Sequence, residues 1–511
     1  MRPLWSSILF AASLHANWGS LAVHIDLPPR SASSIPDLLA RQNGVAGLND
    51  TGISYYLDIT LGGRPFTVLI DTGSSDLWVS GTVPNANDTG ISATIPYAVG
   101  SDSGPVKTAD LNIVGYSVPS QAYIEVTPSN LAPDGTGLIG LGPSSGSIVL
   151  AAMNTSGSAG DPVIDNVFRQ NVSVPNFISF LLNRPNDTFE NYTSEFTISE
   201  ILPSYQNITN QPKLPVSVLE SQISFAQHFS VLLDPDGIIG PDGKPIQTTS
   251  NTSFGPTHNP NQLQLAIDSG FTEPQFPEYI VDAIYSGIQG AQLVNNSFFH
   301  GPVWVFGCDV EVNVTLKFGG LSYPLHPLDL SRQAIDDNGN EFCHATLQAV
   351  IPGAYNPTLD GIMGMAILSN MYVLLNYGDF IDGSTSNTSA PYVQLLSTTD
   401  PAEAHSAFVA ERLGGNDTTG PQNKSNNNNS NNNISGTSTG FFQKNKIPII
   451  IAGVAVVGGA VLVGAVLVAR RRKSAYRPLH DPAPGGDLAM QSVAGYNAGA
   501  RYADPWTTQR S

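Results

Sequence analysis

The chain has 511 residues, too many for one ordinary hydrophobic core, and its 49 Gly and 38 Pro separate short Val, Ile, Leu, Phe and Tyr runs in the manner of a mostly-β protein. With 41 acidic against 22 basic side chains the formal charge is −19, which repels nucleic acid and excludes it as a partner. Scarce Lys and Arg fit plain solubility, and equally fit work at low pH, where they limit positive self-repulsion once carboxylates protonate.

At the start, Arg2 precedes the apolar stretch Leu4 to Leu14, and Ser20-Leu21-Ala22 offers a small-x-small cleavage site, so residues 1–22 read as a signal peptide. Residues 23–50 are a candidate propeptide, although they lack a dibasic site and a strongly basic composition. Two short segments then carry the same chemistry. Asp71-Thr72-Gly73-Ser74-Ser75 follows the β-prone run Phe66 to Ile70, and Asp268-Ser269-Gly270-Phe271-Thr272 follows Leu265-Ala266-Ile267, so each Asp is expected where a strand runs into a tight turn. Gly73 and Gly270 suit turns that need unusual dihedrals or close backbone approach, and Thr72 and Ser269 offer hydroxyls to brace them. If the two carboxylates meet, they cannot both ionise cheaply and keep one proton between them over a broad acidic range. The ionised member can then take a proton from water attacking a peptide carbonyl while the protonated member donates to the carbonyl oxygen, with no metal or cofactor required.

The longer segment Asp71 to Val79, preceded by the strand-like Tyr55-Tyr56-Leu57-Asp58-Ile59-Thr60-Leu61-Gly62, resembles the signature of the pepsin-like aspartic proteases. Further matches follow in the family's order. Ile95 to Ser101 is similar to its flap hairpin, Asp134 to Gly142 to the buried strand that closes the first lobe, and Leu359 to Met365 to the counterpart in the second. The resemblance runs from about Ser54 to about Leu396 and implies an all-β, bilobed acid protease fold, with lobes over 51–215 and 216–413 and a cleft between them. It implies catalysis by Asp71 and Asp268 on protein or peptide substrates, by a monomer of fungal type. Thr72, Gly73, Ser74, Ser269, Gly270 and Thr272 are the implied supports; Ser74 is expected to bond the outer oxygen of Asp71. Tyr97, with Gly100 in the same flap, is expected over the substrate, and Trp78 is expected to brace the Tyr97 hydroxyl or to serve simply as core.

Cys308 and Cys343 are the two cysteines, and either they are inert core residues or they form one disulfide; the secretory context favours the disulfide, and the resemblance implies a bridge at this place. Two departures stand out. Phe271 occupies the position where the family has a Thr or Ser answering Ser74, which deprives Asp268 of an outer hydrogen bond and raises the apparent pKa of the pair. Met365 occupies a position where the family commonly has Asp. A catalytically weak, membrane-tethered peptide-binding protein is therefore the rival reading. A serine hydrolase is a third, because Gly142-Pro143-Ser144-Ser145-Gly146 matches G-x-S-x-G; yet Pro143 enters the turn, and His228, His258 and His344 show no recognisable partner or metal-binding spacing. The stretch Gly237 to Gln262 reads as an insertion of unknown path.

Past the lobes, 414–446 is an Asn/Ser-rich stalk, and Ile447 to Ala469 is an uninterrupted apolar run long enough to cross a bilayer. Arg470-Arg471-Arg472-Lys473 follows, which places the tail 470–511 in the cytosol and the lobes outside or in a secretory or vacuolar lumen, as a single-pass type I protein. The basic stop and the residues beyond it argue against a cleaved glycolipid anchor. Asn-X-Ser/Thr acceptors at Asn87, Asn154, Asn171, Asn191, Asn207, Asn251, Asn313 and Asn387 agree with a glycosylated, lumen-facing protein.

Overall fold

Alternation of buried and open positions organises the first half. In the strand Tyr55–Leu61 the side chains of Tyr55, Leu57, Ile59 and Leu61 turn inward, and Arg64–Asp71 continues the pattern with Phe66, Val68 and Ile70. Each such burial contributes about 1.5–3 kcal/mol. In the computed structural model, residues 44–419 are described except for 51–53, 98–100, 155–159, 171–174, 185–192, 221–222, 254–258, 297–300, 336–338, 351–357 and 382–389.

An eight-stranded sheet fills the first half, in the order Asn49–Asp50, Tyr55–Leu61, Arg64–Asp71, Thr136–Gly140, Leu77–Ser80, Tyr116–Val126, Ser101–Ile113 and Asn87–Pro96. Arg64–Asp71 runs parallel to Thr136–Gly140, which brings Asp71 opposite Gly140 at the end of the pair. The second half repeats the device with shorter strands. Gln264–Ile267 runs parallel to Gly361–Met363 and antiparallel to Ser230–Leu232, and Asp268 leaves its end. A six-stranded sheet takes strands from both halves, with Phe177–Leu181 against Met371–Asn376 at its centre. The architecture is mostly β and bilobed, and its helices are short; Pro401–Arg412 is the longest among the described residues.

The end of the candidate propeptide is built into strands, Val45–Gly47 against Glu195–Ile198 and Asn49–Asp50 against Tyr55 and Tyr56. The described residues of the stretch expected to be an insertion are tied into the second half. Ile238–Ile239 pairs with Pro245–Ile246 and with Val314–Phe318, and the buried Asp360 carboxylate accepts from Ser250 Oγ, Asn251 N and Gln264 N at 2.7–2.8 Å. Cys308 and Cys343 are joined in a disulfide beside the Gly301–Phe306 and Glu341–Ala345 strands.

Among the described residues no helix is long and apolar enough to cross a membrane. The predicted span 447–469, the signal peptide, stalk and tail all lie outside them, as do Gly100, Asn171, Asn191, Asn387 and His258. Asn87, Asn154, Asn207, Asn251 and Asn313 are exposed.

Candidate active site

The two Asp turns meet back to back. Thr72 N–H donates to Ser269 Oγ at 3.1 Å and Ser269 N–H to Thr72 Oγ1 at 3.0 Å, and these residues stand 197 positions apart. Each hydroxyl in turn donates to the strand of the other half, Thr72 to the Ile267 carbonyl at 2.8 Å and Ser269 to the Ile70 carbonyl at 2.9 Å. Both side chains are fully buried, so four mutually satisfied hydrogen bonds in a dry environment lock the turns together. Each hydroxyl braces the opposite turn and not only its own, a pairing that no local pattern in the sequence encodes.

Asp71 and Asp268 are thereby brought within hydrogen-bonding reach of one another. Gly73 and Gly270 make the approach possible: a Cβ at Gly73 would collide with the Asp268 carboxylate, and one at Gly270 with the Asp71 carboxylate. Within each turn the glycine N–H donates to its own aspartate Oδ1 at 2.9 Å. The surroundings then diverge. Ser74 Oγ donates to Asp71 Oδ2, as the sequence led us to expect, whereas Phe271 offers Asp268 only backbone.

Burial pushes both carboxyls up from the ordinary range. For Asp71 the rise is opposed by Ser74, the Gly73 N–H, the Asp268 hydrogen bond and His228. Asp268 is driven well above the usual carboxylate range, first by burial and then by the neighbouring Asp71 charge. Two carboxyls this close cannot both ionise cheaply, and of the two Asp268 is pushed up the further.

Around the pair, Trp78 Nε1 donates to Tyr97 Oη at 2.6 Å, so the expected brace at the base of the flap is present. Trp78 is also core, packed with Ile95, Ile124 and Leu138. Thr272 lies past the turn, where its carbonyl accepts from Ala366 N at 3.4 Å. Met365 is buried and opens a short helix, its N–H donating to the Phe271 carbonyl at 2.8 Å. The G-x-S-x-G segment forms no strand-to-helix elbow: Gly142 N donates to the Ser74 carbonyl at 2.6 Å and the Pro143 carbonyl accepts from Ser75 Oγ at 2.7 Å. That loop is a seat for the Asp71 turn.

Other supports were not legible as such. Asp76 is buried and accepts from Ser147 Oγ, Ile148 N and Val149 N at 2.5–3.1 Å, anchoring the exit of the turn. Tyr377, from the second half, donates to the Leu141 carbonyl at 2.5 Å. His228 lies in the segment that enters the second-half sheet, its Nδ1 2.8 Å from the Ala226 carbonyl. Asp76 had a local signal, lying inside the recognised motif; Tyr377 and His228 had none. Among the described residues no group of three or more His, Cys, Asp or Glu side chains forms a metal site.

A mostly-β bilobed fold with two Asp-Thr/Ser-Gly turns meeting across its middle is the arrangement that the resemblance to pepsin-like aspartic proteases implies. Residues 54–194 match the family model described as Eukaryotic aspartyl protease. Major aspartyl peptidase 1 of Cryptococcus neoformans is 25% identical over 385 residues, covering 69% of this chain and 74% of that protein. Mouse cathepsin E is 26% identical over 378 residues, covering 68% and 82%. In fold, the crystal structure of aspartic proteinase from Irpex lacteus superposes with a TM-score of 0.51 at 16% identity, over 71% of this chain and 99% of that one. The likeness to eukaryotic aspartyl proteases thus covers residues 54–194 by the family model and about two thirds of the chain by relatives at 25–26% identity.

Proposed function

We propose that the protein is an aspartic-type endopeptidase acting at acidic pH on protein or peptide substrates. The observation that carries this reading is the unequal pair: Asp71 and Asp268 share a hydrogen bond, with the Ser74 hydroxyl donating on one side and no side-chain donor at residue 271 on the other. Ionised Asp71 takes a proton from the attacking water, and neutral Asp268 gives its proton to the scissile carbonyl oxygen, forming a tetrahedral diol. Collapse of the diol breaks the C–N bond, with the proton held by Asp71 passing to the leaving nitrogen and a diol hydroxyl proton returning to Asp268. Tyr97 covers the substrate from the flap. The Ile447 to Ala469 run and the basic cluster after it support a type I, lumen-facing tether for the enzyme.

The rival, a peptide-binding protein that hydrolyses poorly, draws on Phe271. Purified full-length protein, freed of any pro-segment, should degrade denatured protein between about pH 3 and 6, with block by a pepstatin-type inhibitor and a loss of roughly 10²–10⁴-fold in Asp71→Ala and Asp268→Ala. Wild type as inert as both variants, while still binding the inhibitor, would replace the peptidase reading with the binding one.

A further inference from the structure

The last helix of the second half, Pro401–Arg412, buries Ala404, Ala407 and Phe408 and carries His405 on its flank. Both nitrogens of that imidazole meet carboxylates. Nδ1 lies 3.1 and 3.0 Å from the two carboxylate oxygens of Glu311, and Nε2 lies 3.4 Å from Asp417 Oδ2. An ionised carboxylate only accepts, so serving both acids at once takes two ring N–H groups, which only the imidazolium possesses.

The two acids come from different parts of the chain. Glu311 is buried in the loop that follows Cys308, next to the core residue Val312. Asp417 lies past the helix, and the chain turns back because Gly414 and Gly415 both take left-handed φ values of 61° and 83°. Leu413 N and Gly415 N close this reversal on the Val409 carbonyl at 3.1 and 3.0 Å, and Asn416 N on the Leu413 carbonyl at 3.3 Å. Asp417 is itself oriented by Thr419, whose N–H and Oγ1 donate to its Oδ1 at 2.9 and 2.5 Å. The other charges around the helix are engaged elsewhere or open to solvent. Asp400 caps its first turn, and the Arg412 guanidinium donates to Cys343 Sγ at 2.7 Å and to the Ser331 carbonyl at 3.2 Å. In the short helix Pro327–Leu330, which packs against this one, Asp329 pairs with Arg184 at 2.7 Å. Glu403, Glu411 and Asp309 are exposed.

We propose that His405, Glu311 and Asp417 form a clasp, shut in acid, at the end of the second half: the imidazolium ties the reversal at 413–419 to the buried loop carrying Glu311, and the tie opens when the ring gives up its proton. A neutral ring keeps one N–H and can serve one acid only. Glu311 is the nearer and the better buried, so Asp417 and the reversal are what is released. Chiefly through the Glu311 hydrogen bond, the ring holds its proton above the ordinary histidine range. The tie is therefore complete below that range and is lost as pH rises through the raised value. With the His405 side chain 38% exposed, its charge is partly screened, and the opening is local rather than global. The clasp involves neither Asp71 nor Asp268, and it stands apart from the peptidase reading. In an acidic compartment it fixes the direction in which the chain leaves the lobe; at neutral to alkaline pH that direction is freed.

The test follows the His405 ring by NMR in full-length, [13Cε1]histidine-labelled protein, with the resonance identified by its loss in His405→Gln. Glu311→Gln is expected to lower the titration midpoint by about half a unit or more, and Asp417→Asn by less. A midpoint that neither substitution moves overturns the clasp. Hydrogen exchange reads the reversal itself. After correction for intrinsic rates, protection of the 413–419 amides in wild type is expected to fall about 3-fold or more between about pH 5.5 and 8.5, and to be low at both in His405→Gln. Asp417→Asn leaves the helix and the Glu311 contact in place, so it is expected to match His405→Gln and guards against a histidine variant that has merely disturbed the helix. Equal protection at the two pH values in wild type, or a wild-type pH response in both His405→Gln and Asp417→Asn, overturns the gating.

Discussion

Phe271 is the residue at which the two Asp turns stop being equivalent. Ser74 donates to Asp71, and the place that would answer it beside Asp268 carries an aromatic ring. Restoring a donor with Phe271→Thr stabilises the ionised form of Asp268, so the alkaline limb of the kcat profile should move to lower pH by about half to one unit. An alkaline limb that stays in place would mean Phe271 does not govern the proton on Asp268. Gly270 offers a harsher check, because Gly270→Ala drives a methyl into the Asp71 carboxylate. Activity should fall by roughly 10²-fold or more, in the range seen for losing an acid–base group. At this scale the sequence was informative wherever the bond is local: Gly73 and Ser74 bond Asp71 from two and three residues away, within one motif.

Secondary-structure elements at the rim of the second half are held by chemistry of two kinds. The disulfide Cys308–Cys343 closes a separation of 35 residues, and the chain-entropy model puts its contribution at about 4 kcal/mol. The double variant Cys308→Ser/Cys343→Ser should therefore lose about 2–4 kcal/mol of stability in chemical denaturation, with a somewhat larger m-value because the unfolded chain without the crosslink exposes more surface. The pairing was implied by family resemblance rather than by spacing, since two cysteines alone do not say whether they meet. Nearby, the helix Pro401–Arg412 opens on Asp400, whose side chain accepts from Ala402 N at 2.8 Å and Glu403 N at 3.1 Å, with Pro401 in the first helical position. Asp400→Ala should cost about 1 kcal/mol, measured by chemical denaturation. This cap follows directly from Asp-Pro-Ala-Glu as a sequence pattern, although the sequence reading did not assign the helix.

Across the whole molecule the buried acids set the response to pH. Burial raises Asp71, Asp76, Asp268 and Glu273, with Glu273 pushed up to about 7 against the opposing effects of Arg332 and Gln348. A carboxyl whose folded pKa exceeds its unfolded one stabilises fully below the unfolded value and loses that contribution as pH rises through the folded one. Folding therefore holds protons between about pH 4.5 and 7 that the unfolded chain releases. His344 works in the opposite sense: buried and lowered to about 4, it stabilises above the ordinary histidine range and loses that contribution as pH falls toward 4. The acids outnumber it, and the net charge of −19 adds self-repulsion at neutral pH. Glu273→Gln should match wild type at pH 4 and exceed its stability by roughly 2–3 kcal/mol above pH 7, as read from thermal melts across pH. Equal melting temperatures at both ends would exclude this role for Glu273.

By itself the sequence determined the two Asp turns, the glycines that let them close and the asymmetry at Phe271, because turn chemistry and strand periodicity are written in neighbours two to four residues apart. It also carried the mostly-β, bilobed expectation. The tertiary structure decided what crosses between the halves: the reciprocal Thr72 and Ser269 bonds and Tyr377 on Leu141. Those contacts join residues far apart in the chain, and their energy exists only once two separately packed sheets have excluded water between them. No local pattern encodes that meeting.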